Sequence, residues 1–119
     1  MEADRIHRVF VYGTLRRGAA QAGRMSDARW LGAGRVRGDL FRISWYPCVV
    51  LREEGDFVTG DVFAIDDDLL RKLDAYEGDE YRRVRVMVEG DTPGEAWMWE
   101  WAGEVPAESL IASGDWLAE

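Results

Sequence analysis

Apolar residues recur at alternate positions in several short runs, with glycines at most of the breaks between them. The first run, residues 9–12 (Val-Phe-Val-Tyr), predicts a buried strand that leads into a loop opened by Gly13 and closed by Gly18. Residues 34–43 read as one long or bent strand interrupted by Gly38, and Tyr46-Pro47 then imposes an extended or turn geometry before a short strand at 49–51. Residues 57–65 alternate and contain Gly60, where a bulge or a close backbone approach is expected. In residues 81–88 the valines Val84, Val86 and Val88 share one face, opposite Tyr81, Arg83 and Arg85; in residues 96–101 Trp97, Trp99 and Trp101 share a face. About five or six such strands with tight breaks predict an α+β chain built on a small, curled, mixed or antiparallel β-barrel.

One segment has helical period instead. After the acidic run Asp66-Asp67-Asp68, which can cap free amides and complement the positive end of a helix dipole, Leu69, Leu70, Leu73 and Tyr76 form an apolar stripe. Gly78 is placed to end this helix. Shorter helical segments are expected near residues 19–25 and 107–112.

Glu77 breaks the stripe. It lies four residues after Leu73 and seven after Leu70, so it falls on the apolar face in the last helical turn. The negative end of the dipole and partial burial both oppose its charge and raise its pKa, which suits a group that takes and returns a proton near neutrality. In the competing reading the helix end frays and Glu77 turns into water beside Gly78. Position alone leaves both open.

At 119 residues the chain fits one domain spanning its whole length. Its 15 Lys and Arg against 23 Asp and Glu give a net charge of -8, which disfavours nucleic acid as a partner. No stretch approaches the roughly 20 apolar residues of a membrane span, and there is no signal-peptide profile. With a single cysteine, Cys48, no internal disulfide is possible, and the expected setting is a soluble protein of the reducing cytoplasm. One histidine and one cysteine are too few for an ordinary zinc site, so no metal is expected.

The remaining chemistry-bearing residues divide simply. Asp74, Asp79, Glu53, Glu54 and Asp56 read as solvated, Cys48 as a small core residue, and His7 as a histidine with no nucleophile beside it. Tyr81 either reaches a ligand or packs, and the alternating tryptophans are core or wall. The loop at 12–18 lacks the Lys-Ser or Lys-Thr ending of a P-loop and the glycine spacing of a dinucleotide fingerprint. It either presents backbone amides to a ligand or is an ordinary glycine-containing turn.

Five segments occur here in one order: Val9-Phe-Val-Tyr-Gly-Thr-Leu-Arg-Arg-Gly18; Tyr46-Pro47; Gly60-Asp-Val-Phe63; Leu73-Asp-Ala-Tyr-Glu-Gly78 followed by Tyr81-Arg-Arg83; and Ser113-Gly-Asp-Trp116. Together they resemble the gamma-glutamylcyclotransferase-like superfamily, most closely its small bacterial members and the gamma-glutamylamine cyclotransferases. The resemblance implies a small barrel with one main helix and a small-molecule gamma-glutamyl substrate. It also implies a reaction in which the substrate's α-amine attacks its own side-chain carbonyl, releasing 5-oxoproline and an amine without a cofactor. On the same resemblance Glu77 is the general acid and base. Tyr12, Gly13, Thr14, Leu15, Pro47, Tyr81 and Trp99 are the substrate-binding residues. Two departures bear on substrate choice: Ala19-Ala20-Gln21 stands where the family often has proline or asparagine, and Trp99 where relatives usually have tyrosine. The alternative is a non-catalytic binding or interaction module on the same scaffold, a reading that retention of Glu77 disfavours.

Overall fold

The computed structural model describes residues 5–118. Its strands are β1 (Ile6–Val11), β2 (Arg29–Arg42), β3 (Pro47–Leu51), β4 (Phe57–Asp66), β5 (Tyr81–Gly90) and β6 (Gly94–Trp101), with one α-helix, α1 (Asp67–Glu77), between β4 and β5. The order β2-β4-β1-β6-β5 closes on itself because β5 returns to β2 through Gly34↔Gly90 and Arg35↔Glu89. Only the β1–β6 contact is parallel; the other pairings of the barrel are antiparallel. β3 lies outside this five-stranded barrel, on the far half of β2.

Alternation determines what fills the barrel. Phe10, Val36, Leu40, Val58, Val62, Val86, Val88, Ala96 and Met98 turn inward and pack as one cluster, joined by Ile111 from the C-terminal segment. The opposite faces of β1, β4 and β6 are not left to water: Val9, Val11, Phe63, Ile65 and Trp99 are covered by Leu69, Leu70 and Leu73 of α1. Both faces of β1 are therefore buried, which accounts for its unbroken apolar run. Each helix leucine so covered contributes about 1.5–3 kcal/mol. A third cluster joins Phe41, Cys48 and Trp101, with Tyr46 and Tyr81 packed against it.

α1 starts as its sequence predicts, with the Asp66 carboxylate accepting from the Leu69 amide at 2.8 Å, and ends at Gly78. Other expectations are corrected. β2 begins at Arg29, five residues before Gly34, and Gly38 does not interrupt it. At Gly38 the pairing passes from β4 to β3 while the strand runs on unbroken to Arg42. The register irregularity is not at Gly60 but across from its strand, between Trp30 and Gly32. Of the two expectations for Gly60 the close approach holds, since a Cβ there would stand 2.5 Å from the Phe10 ring. The two short helical segments shrink to 3-10 turns, Ala22–Met25 and Ala107–Ser109, and a further one occupies Trp116–Ala118. His7 does not precede the first strand but belongs to it, and its ring nitrogen meets the Asp67 carboxylate. No helix of the described residues is long and apolar enough to cross a membrane.

Candidate active site

Where β1 leaves the barrel, its following loop, the turn before β3, the end of α1 and the start of β5 enclose a pocket of about 350 Å³. Tyr12, Gly13, Thr14, Leu15, Pro47, Glu77, Tyr81 and Trp99 all line it. Residues up to 87 positions apart in the chain are thus gathered on one concave surface. The same pocket is lined by Arg24, Trp45, Tyr46 and Tyr76. Tyr46 had a signal in its Tyr-Pro pair, and Tyr76 in its place on the apolar stripe. Arg24 and Trp45 sit in irregular segments and carry no periodic signal.

The loop after β1 is held from outside the pocket. Arg16, only 8% exposed, donates from Nε to Asp61 at 3.2 Å and from Nη1 to Asp115 at 2.7 Å. Asp61 also accepts from the Arg17 amide at 3.1 Å and from the Trp30 indole at 3.2 Å. Turn bonds run from Arg16 N to Gly13 O and from Gln21 N to Thr14 O, at 3.0 and 2.8 Å, and among the described residues none of the turn bonds uses the amides of Gly13, Thr14 or Leu15. Gly13 has a steric reason that alternation does not reveal: a Cβ there would stand 2.5 Å from the Pro47 ring. The glycine brings two walls of the pocket together.

Glu77 is partly buried in the pocket wall rather than turned into water. Burial first, and the charge of Asp74 second, raise its pKa from 4.5 to about 7. Asp74 is not simply solvated, as its sequence position suggests. It accepts from the Trp99 indole N–H at 2.9 Å and pairs with Arg83 at 3.1 Å. Trp99 therefore brings its own donor, and that donor fixes the carboxylate that acts on Glu77.

The two tyrosines keep their protons. Tyr12 donates to the Trp99 carbonyl at 2.8 Å and Tyr81 to the Pro47 carbonyl at 2.7 Å. Burial, with smaller contributions from neighbouring groups including Glu77, raises both phenol pKa values. The Thr14 and Tyr76 hydroxyls bond each other at 2.9 Å, tying the loop to α1. Cys48 is fully buried, and burial pushes its thiol up to about 12, so it is no nucleophile at neutral pH.

A family model described as gamma-glutamyl cyclotransferase, AIG2-like, matches residues 9–118 and so takes in the loop, α1 and the C-terminal segment. The chain belongs to this family. Among curated relatives, gamma-glutamylcyclotransferase family protein YtfP of Escherichia coli K12 is 37% identical over 114 residues, covering 92% of this chain and 96% of that one. Among solved structures, a Pyrococcus horikoshii protein superposes with a TM-score of 0.79 at 27% identity, over 92% of this chain and 89% of its own. A mouse AIG2-like protein gives 0.73 at 26% identity, over 85% and 80%. In the cyclotransferase-family pocket of this chain the charged lining side chains are Glu77 and Arg24. Every other lining residue is apolar, aromatic or a neutral hydroxyl.

Proposed function

We propose that the chain is an enzyme that cleaves a gamma-glutamyl amide by cyclising its substrate. The observation that carries this reading is Glu77, a carboxyl poised at about 7 in the same pocket as the glycine-opened loop. Its carboxylate removes a proton from the substrate's α-ammonium. The freed amine attacks the γ-carbonyl carbon, forming the ring C–N bond of 5-oxoproline. The old amide C–N bond breaks, and Glu77 passes its proton to the departing nitrogen. The ring nitrogen loses its second proton as the tetrahedral intermediate collapses, and that proton ends on the released amine as its ammonium, so charge and atoms balance.

The supporting groups fall around that chemistry. The amides of residues 13–15 are available for the α-carboxylate or the developing oxyanion. Because the Tyr12 and Tyr81 protons are committed to carbonyls, the oxygens of these two lining residues have only acceptor capacity left, which suits an ammonium. Pro47 and Trp99 limit how far the chain can extend, favouring the folded conformer in which amine and carbonyl meet. Such oriented intramolecular attack reaches effective molarities of roughly 10⁵–10⁸ M.

The test is a panel of gamma-glutamyl amino acids and amines with 5-oxoproline as the readout. Glu77→Gln is expected to lower turnover by at least about 10² while the protein stays folded. A Glu77→Gln protein as active as the parent overturns the mechanism, and absence of product from every compound favours the binding-module alternative.

A further inference from the structure

The proposed chemistry turns on Glu77, yet what is tied down beside it is another carboxylate. Asp74 lies three residues earlier on α1, which makes the two acids helix-surface neighbours with Cβ atoms about 5–6 Å apart. Two strands of the barrel hold it. Arg83 on β5 and Trp99 on β6 are cross-strand partners, so both side chains project from one register position. Asp74 Oδ1 accepts from the Trp99 indole at 2.9 Å and meets Nε of Arg83 at 3.1 Å. Both partners can only donate, so the oxygen between them serves as an ionised acceptor. Arg83 is steadied in turn, with its guanidinium 4.4 Å from the centre of the Trp97 ring. The Asp74 carbonyl accepts from the Gly78 amide at 3.2 Å, so the same residue closes the helix just past Glu77. A carboxylate without these ties would swing into water, where its charge is screened.

We infer that Asp74 is a positioning residue: a negative charge fixed to the barrel by Trp99 and Arg83, which sets how firmly Glu77 holds the proton it exchanges. Its part in the reaction rests on the cyclisation reading above; its effect on Glu77 does not. The direction agrees with the raised pKa of Glu77, to which burial contributes most and Asp74 next. The other groups around Glu77 leave this role to Asp74. Burial keeps the Tyr12 and Tyr81 phenols and the Cys48 thiol protonated, and Tyr46 and Tyr76 bring hydroxyls. Arg24 is exposed and stacked on the Tyr76 ring, and Asp79 and Glu80 lie exposed beyond Gly78. Arg83 partly offsets the Asp74 charge, so the two residues act on Glu77 with opposite signs.

Asp74→Asn keeps an acceptor oxygen for the indole and loses only the charge. The pH midpoint of kcat/KM on a gamma-glutamyl amide is expected to fall by about 0.5–1 pH unit, the range for like charges at this spacing when one side chain is 39% exposed. Arg83→Gln carries its amide nitrogen as far as Nε and loses the charge, so the midpoint rises. Arg85→Gln is the matched control, because Arg85 stacks on the same Trp97 ring but pairs with Glu95, and it leaves the midpoint in place. The same midpoints are read without turnover from the carboxyl carbon resonance of Glu77, assigned by its loss in Glu77→Gln. An unmoved or raised midpoint in Asp74→Asn overturns the inference, because a tether alone survives in that variant. Equal shifts in Arg83→Gln and Arg85→Gln also overturn it, since they would report only the net charge of the molecule. If the parent releases no 5-oxoproline from any compound, the cyclisation reading falls and the resonance decides Asp74 by itself. Midpoint shifts of the stated signs then support the assignment, and their absence overturns it.

Discussion

Glu77 carries opposite consequences for activity and for stability, and both follow from the direction of its shift. In the proposed cyclisation Glu77 starts as the ionised base, so kcat/KM is expected to rise with pH through about 7 and level above it. Neither tyrosine nor Cys48 titrates in that range, since all three are pushed upward by burial. For stability the folded pKa of about 7 exceeds the ordinary 4.5, so the native state binds more protons than the unfolded chain between those values. Stability from this group is complete below about 4.5 and is lost as pH rises to about 7. Glu77→Gln removes that slope and is expected to stabilise the protein at pH 8 by roughly 1–3 kcal/mol, read from urea midpoints at acid and alkaline pH. A midpoint at pH 8 below the parent's would contradict the desolvation account.

At the scale of elements, the glycine-opened loop depends on a buried ionic clasp that it does not itself contain. Asp61 on β4 is 5% exposed and receives three donors, two from the loop and one from Trp30. Removing it leaves Arg16 with only the more exposed Asp115. Breaking a buried pair in this way costs about 3–5 kcal/mol, so Asp61→Ala is expected to lower the denaturation midpoint and, through the displaced loop, kcat/KM as well. Asp68→Ala is the matched control, because its partners Arg71 and Lys72 are exposed on the helix surface. It should leave kcat/KM where it was and move the midpoint far less than Asp61→Ala does, by the small share that an exposed carboxylate in the first helical turn contributes. The helix and the loop are further joined by the Thr14 to Tyr76 hydroxyl contact, so Glu77 and the free amides are positioned by one connected assembly.

The whole molecule is a closed barrel with a helix over one side, and its two strand faces answer differently to the same change. Met98 on β6 is 0% exposed inside the barrel and Met87 on β5 is 63% exposed outside it. Met98→Ala is expected to cost about 2–5 kcal/mol in chemical denaturation, and Met87→Ala to be close to silent. Much of this architecture is legible in the chain. Period two assigns each strand an inner and an outer face, and the acidic triplet, the leucine stripe and Gly78 delimit α1, because these are rules about residues within a turn or two of one another. Glu77 stands out for the same reason, as a charge on an apolar stripe. Tertiary structure alone decided that β5 would meet β2 and close the barrel, and that β3 would stay outside. It also decided that Arg24 and Trp45 would reach the pocket, and that Asp74 would be held against Trp99, 25 residues along the chain. Those contacts are set by where strands cross a curved surface, and no local pattern records that distance. The chain by itself marked Glu77 as a charge on an apolar stripe and residues 12–18 as a glycine-opened loop, because both are local patterns; the fold decided that the two line one pocket and what surrounds them.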